Sequence, residues 1–233
     1  MFNASTSSVA AAILYLASVT AVIADEPSTA SLWSAGPAIG TLGVGGEVSY
    51  LVYKYVVFRA NGSYLKFNYN DTITAYGAKN SNYNFDMSGI FAGGIVDIHP
   101  FESGWRVSAG LRYVDAELKD IATNGQTLGS TTYTPAQVGT VTTTIHNTNP
   151  GAPYLGFGYD ASHFSKDGAG FKLGLDVGAL YAGDPDVSIK TTLNPGTAGF
   201  SSDVAAETSS LKDSLRKWYN FYPVAMVSGR ISF

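Results

Sequence analysis

The sequence predicts an all-β fold, an antiparallel β-barrel with one short helix near the C-terminus. Three observations carry this prediction. Segments of about ten residues alternate apolar with small or polar side chains, the period-two mark of a strand with two unlike faces. Charged residues make up only 14% of the chain while Gly (26) and Tyr (15) are abundant, against roughly 25% charge in an ordinary soluble domain. After Ala24 no apolar run is long enough for a spanning helix. A membrane form would therefore have to be a closed barrel, which satisfies every backbone group in lipid.

Composition also excludes functions. Zero Cys removes a disulfide scaffold, a thiolate metal site and a cysteine nucleophile. A formal charge of −4 with no basic run argues against a nucleic-acid partner. Val9–Ala24 (VAAAILYLASVTAVIA) reads as the hydrophobic part of a secretory leader. Small or compact residues precede Asp25, so residues 1–24 are expected to be a cleaved signal peptide and 25–233 the barrel domain. The leader lacks the usual Lys or Arg, which fits an atypical leader or a start further upstream; an uncleaved N-terminal anchor helix is the contrasting reading.

The elements follow in order. Thr41–Tyr50 puts Leu42, Val44, Val48 and Tyr50 on one face and Glu47 and Ser49 on the other. Val56–Asn70 opposes Phe58 and Tyr64 to Arg59 and Asn61, and its pattern blurs after Lys66. Asp71–Asn82 is polar and reads as a loop. Tyr83–Ile98 is a long strand whose faces cannot be told apart within GIFAGGIV. Trp105–Lys119 alternates clearly, with Arg106 and Arg112 on its polar face. Asp120–Pro150 is rich in Thr, Asn and Gly and reads as irregular, with Thr140–Ile145 a possible strand. Tyr154–Asp160 and Gly170–Ala182 alternate again. Ser202–Tyr219 changes to steps of three and four and reads as an amphipathic helix capped by Ser201, Ser202 or Asp203. Tyr222–Phe233 closes the series, with Arg230 on its polar face.

Alternation alone does not say whether lipid or water lies outside. A soluble barrel points its apolar face inward, and an outer-membrane barrel reverses this. The polar faces here carry Gly, Ser, Thr and Asn with single charges, which suits a crowded lumen better than a water-facing surface. Aromatics gather at strand ends, as at Tyr50, Tyr53, Trp105 and Trp218, where interfacial girdles place them. Connections alternate between short and long. A soluble lipocalin-like binder remains the contrasting class.

The final strand VAMVSGRISF, ending in an aromatic residue, resembles the closing strand of bacterial outer-membrane barrels. The hairpin GVGGEVSYLVYKYVVFRANGSY is similar to small barrels of the outer membrane protein A, X and W type. The resemblance implies an outer-membrane location, lipid as the surroundings, and an assembly signal at Phe233 read by the barrel assembly machinery. Eight strands fit the length at about 9–11 residues each. Either Ser31–Gly40 or Asp186–Thr192 supplies the eighth; short periplasmic turns at 51–55, 99–104 and 161–169 favour Ser31–Gly40 as the first strand.

The inferred lumen carries Glu47, Arg59, Arg106, Arg112, Lys172, Asp176 and Arg230. An isolated charge there is costly, so these groups should pair or stay hydrated. The prevailing expectation is a non-enzymatic structural or surface-interaction barrel with a plugged lumen. Its alternative is a narrow or gated path for ions or small solutes with a cationic lining. His99, His146 and His163 lack a metal spacing, and no pattern calls for a cofactor. His163-Phe164-Ser165 resembles the His-Ser pair of outer-membrane lipid A deacylases, but Lys166 stands where that family has Asn, and no orienting acid is evident. Catalysis is not expected.

Overall fold

The computed structural model describes residues 31–73, 81–101, 103–123, 125–164 and 169–233. The expected leader, 1–24, lies outside them. In chain order the elements are β1 (Trp33–Gly40), β2 (Gly43–Tyr53), β3 (Val56–Ile73), β4 (Ser81–Ile98), β5 (Trp105–Ala122), β6 (Gln126–Leu128), β7 (Thr131–Tyr133), α1 (Pro135–Val138), β8 (Val141–Asn147), β9 (Gly151–Asp160), β10 (Gly170–Tyr181), β11 (Pro185–Thr191), α2 (Phe200–Tyr219) and β12 (Phe221–Ser232).

Eight strands close into a ring in the order β1-β2-β3-β4-β5-β9-β10-β12, every pairing antiparallel, and β12 returns to β1. Ser31–Gly40 therefore supplies the eighth strand, as β1. The segment Asp186–Thr192 is the other element weighed for that place. It forms β11, which pairs with β8 beyond the rim of the ring. β5 serves both levels: Trp105–Tyr113 pairs with β9, and Glu117–Ala122 pairs with β8. Leu32, Phe233 and the described residues 54–55, 99–101, 103–104 and 161–164 share one end of the barrel, called the short-turn end below.

Four local expectations need correction. The polar stretch 71–82 is partly strand, because β3 and β4 stay in unbroken register from Val56↔Ile98 to Ile73↔Ser81. The blur after Lys66 marks the strand leaving the barrel, where Phe67 and Tyr69 are both exposed. Leu42 belongs to a two-residue turn, not to a lipid-facing strand. Gly43 at φ +87° turns the chain there, which a residue with a Cβ adopts only with strain, and Leu42 folds inward, fully buried. The helix begins at Phe200, and Gly199 in the left-handed region takes the N-cap place without a side-chain bond; Asp203 lies in the first turn. The stretch 120–150 also holds more order than its composition suggests. Leu128, Tyr133, Val138, Val141 and Phe200 form a second small core that ties β6, β7, α1 and α2 together.

Each ring strand has the two faces its alternation predicts. Ile39, Val44, Leu111, Leu155, Phe171 and Leu173 are each at least 59% exposed and point away from the ring. A water-soluble monomer rarely exposes a contiguous apolar band of this kind. Aromatic pairs flank the band: Trp33 with Tyr50 at 4.6 Å and Trp105 with Phe157 at 5.3 Å near the short-turn end, and Tyr181 with Phe221 at 5.6 Å at the other. No helix among the described residues is long and apolar enough to cross a membrane. Within GIFAGGIV, the ambiguous run, Phe91 and Ile95 turn inward while Ile90 and Val96 face out.

Candidate functional site: a charged lumen

An eight-stranded barrel is just wide enough for side chains to fill it. The inward positions here are filled in three layers, set by how far each residue lies along its strand.

The middle layer holds charges. Arg59 on β3 is the hub. Its Nε donates to Asp97 Oδ2 at 2.9 Å and its Nη2 to Asp97 Oδ1 at 3.1 Å, while Nη1 reaches Asp176 Oδ2 at 2.9 Å and Glu47 Oε2 at 3.1 Å. Arg106 on β5 bonds Asp160 at 3.0 Å and lies 3.8 Å from Asp97 and 3.7 Å from Asp176. Arg230 on β12 donates from Nε to Glu47 Oε1 at 2.7 Å and also bonds Asp160. Ser108 donates to Asp97 at 2.6 Å, and Ser162 donates to Asp160 from both its hydroxyl and its backbone N–H. The three guanidinium groups and Asp97, Asp160 and Asp176 are each almost fully buried. Single ions at such depth cost several kcal/mol, so the pairing is what makes the layer tolerable.

Of the expected lumen residues, the structure brings Glu47, Arg59, Arg106, Asp176 and Arg230 into one cluster. Arg112 sits one layer beyond them, its Nη1 donating to Asn61 Oδ1 at 2.9 Å and its charge 4.9 Å from the Tyr154 ring centroid. Lys172 is half-buried on the same inward face, opposite Arg230 in the register of β10 with β12. Asp97 and Asp160 were missed. Asp160 alternates with Leu155, Phe157 and Tyr159 and shares the face of Gly156 and Gly158, so its signal is present in the sequence; Asp97 is hidden behind the apolar run of β4. Their inclusion changes the electrostatics. Four arginines, Arg59, Arg106, Arg112 and Arg230, now face four carboxylates, Glu47, Asp97, Asp160 and Asp176, and the expected cationic excess is largely cancelled.

On the long-loop side of the charges the lumen becomes apolar. Phe91, Leu42, Leu180, Val224 and Met226 pack together there, with Phe91 and Tyr222 at 5.8 Å. Between this layer and the charges lies a cavity of about 10 Å³, lined by Glu47, Arg59, Asn61, Arg112 and Asp176 among others, room for about one water.

At the short-turn end a hydrogen-bonded latch closes the barrel. His163 Nδ1 donates to the Ser31 carbonyl at 2.6 Å, which leaves Nε2 to accept from Ser49 Oγ at 2.8 Å. Ser49 in turn lies 2.7 Å from Ser34 Oγ. His99 Nδ1 donates to the Ser103 carbonyl at 2.8 Å, and its ring packs on Phe164 at 4.3 Å. Burial holds both imidazoles below the usual histidine range and so favours the neutral form. Both ring nitrogens of His163 are thus engaged, and Ser165, the other residue of the His-Ser pair, lies outside the described residues. His146, expected in a polar loop, sits in β8 instead, 3.1 Å from Glu117. Among the described residues no group of His, Asp and Glu is arranged to hold a metal.

A closed eight-stranded ring, apolar outside and charged within, is the architecture of a bacterial outer-membrane β-barrel. Solved structures agree on that fold. The chain superimposes on Acinetobacter baumannii CarO2 with a TM-score of 0.61 at 21% identity, covering 86% of this chain and 98% of that one. Acinetobacter baumannii CarO gives 0.59 at 21% identity, covering 89% and 100%. No family model and no curated protein matches the sequence.

Proposed function

We propose that the protein is a narrow, gated path for ions or small polar solutes across the outer membrane, closed in this structure. One observation carries this reading: the constriction consists of ion-paired side chains rooted in the barrel wall. Arg59 alone contacts carboxylates from three other strands. Such pairs can exchange partners by side-chain rotation, with the β-ladder left intact. A lumen meant only to be filled needs no charge, since apolar residues of similar volume are often as stable or more so.

The second reading, a permanently plugged structural barrel, is favoured by the saturation of the cluster and the smallness of the cavity beside it. Planar-bilayer recording separates the two. The path reading expects small single-channel steps from the wild type and larger or more frequent ones from Arg59→Ala. Wild-type protein that folds in the bilayer without conducting would leave the plug.

The same proposal puts the short-turn end in the periplasm and the extensions built from β8, β11 and α2 outside, following the usual placement of turns. It takes 1–24 as an export signal, membrane lipid and the barrel assembly machinery as partners, and Phe233 as the assembly signal. Phe233 exchanges backbone bonds with Trp33 at 2.9 and 3.0 Å, which supports a place at the closing seam.

A further inference from the structure

β3 outruns its neighbour β2. The two last pair at Val44↔Tyr64, while β3 stays paired to β4 as far as Ile73. From Leu65 to Ile73 the other edge of β3 therefore borders no strand among the described residues. The direction of its backbone groups is set by the ladder nearer the barrel. A Cβ on Gly43 or Gly45 would run into the carbonyl oxygen of Tyr64 or Gly62, so the even-numbered residues of β3 turn their backbone toward β2. That alternation continues along an unbroken antiparallel strand. Lys66, Asn68, Asn70 and Thr72 thus aim N–H and C=O at the open side, and Leu65, Phe67 and Tyr69 bond theirs to β4.

Exposed sheet edges are normally blunted by Pro, bulges, charges or a covering element. β11, the opposite edge of the same rim sheet, begins with Pro185, carries Lys190 and has α2 packed against it. β3 has neither Pro nor bulge over Leu65–Ile73, and Lys66 is its one cation there. Beside the open edge lie Phe67 and Tyr69, each 52% exposed, with their rings stacked 6.4 Å apart. They share the face of Leu65, which packs against the apolar layer of the lumen.

We propose that Leu65–Ile73 is a strand-accepting edge that captures an extended segment of another protein. Four residues that face outward at strand spacing match the backbone of one further strand, and main-chain hydrogen bonds supply the affinity in such additions. Antiparallel entry gives the better-aligned bonds. Apolar side chains at every second position of the guest would lie beside Phe67 and Tyr69, as cross-strand pairs do, with polar ones beside Lys66 and Asn68. A second copy in the same membrane cannot be the guest, because antiparallel pairing about an axis normal to the sheet turns its barrel upside down. That the guest comes from outside the cell rests on the orientation proposed above; the edge itself does not.

The probe is a peptide copying residues 64–73, YLKFNYNDTI. Its antiparallel pairing centred on Asn68 opposes Phe67 to Tyr69 and sets no like charges opposite each other. Added to the protein in detergent micelles, it should slow hydrogen exchange at the amides of Lys66, Asn68, Asn70 and Thr72 and leave Phe67 and Tyr69 unchanged. Asn68→Pro removes a donor from the open side alone, a place where a strand tolerates Pro. It should keep the urea midpoint and weaken peptide binding about tenfold or more, as the loss of a main-chain bond does. A peptide N-methylated at its Asn68 and Asn70 positions should not bind, and one methylated at Phe67 and Tyr69 should. Failure of the parent peptide to bind, binding that survives the Asn68 and Asn70 methylation, or open-side amides already protected in the free protein overturns the proposal. A dimer in micelles that Asn68→Pro dissolves gives the edge to a second copy and overturns it too. Binding in micelles but not to intact cells removes the proposed orientation and leaves the edge.

Discussion

Arg59 grips Asp97 through two parallel hydrogen bonds, of 2.9 and 3.1 Å, diagonally across the pairing of β3 with β4. The fork of the guanidinium matches both carboxylate oxygens, the geometry that makes arginine the residue suited to a buried pair. Both residues are almost fully buried.

Removing one partner should therefore be far worse than exchanging both. Asp97→Leu leaves Arg59 with an uncompensated share of charge and is expected to cost about 3–5 kcal/mol. Arg59→Met together with Asp97→Leu should recover part of that loss. Urea unfolding in detergent micelles, run as a double-mutant cycle, measures the coupling. Additive single losses would mean that the pair does not act as a unit.

Stability should fall on mild acidification. His99 and His163 are held below their ordinary value of 6.5 by burial. Between that value and the lower folded one, the unfolded chain binds protons that the folded chain refuses. Stability is then constant above about pH 6.5 and falls as pH drops toward the folded values, by at most about 1.4 kcal/mol per pH unit for each histidine. Urea midpoints measured across this window check the slope. His163→Asn should make the slope shallower.

The lumen glycines should not tolerate a methyl group where a long side chain passes. A Cβ on Gly93 would lie 2.5 Å from the Leu111 carbonyl oxygen and 2.7 Å from Arg112 Cγ. Gly93→Ala should cost about 1–3 kcal/mol, as overpacking does elsewhere. Gly151, where an added Cβ meets nothing within 4 Å, is the control and should be near neutral as Ala.

The outward face should reject charge by depth. Leu155, 66% exposed, lies midway along β9. Leu155→Arg is expected to cost about 2–4 kcal/mol on folding into vesicles, as for basic residues at the midplane. Leu193, equally apolar and 50% exposed but beyond β11, should accept Arg with little change. Equal tolerance at both positions would contradict a lipid belt.

Much of this design was legible in the sequence, because a period of two assigns every residue of a strand to a face once one is placed. Arg59, Arg106, Arg112 and Arg230 were assigned inward in this way. Legibility failed where parity carried no contrast or where the chain left the strand. Asp97 follows a run that is apolar on both faces, so nothing marked it as a lumen residue. Leu42 counted as lipid-facing by parity, although a turn ends parity and lets it fold over the lumen. The bond between His163 and Ser49 joins residues 114 positions apart, and only the closed ring brings them together. The segment 120–150 concealed its order because its short strands pair with one another and with the rim of the barrel.

The ion-pair cluster draws one member from every ring strand except β1: Glu47, Arg59, Asp97, Arg106, Asp160, Asp176 and Arg230 come from β2, β3, β4, β5, β9, β10 and β12. The hairpins β2–β3 and β3–β4 each hold one pair, Glu47–Arg59 and Arg59–Asp97, but Arg230 meets Glu47 and Asp160 only across the closed ring, since neither β2 nor β9 pairs with β12. A slip of one residue in any pairing sends that strand's charge out into lipid. The cluster therefore acts as a combination lock on assembly, which the correct register of the whole ring alone releases. A half-zipped sheet leaves Arg230 without its carboxylates, and a mispaired one turns a charge toward the bilayer.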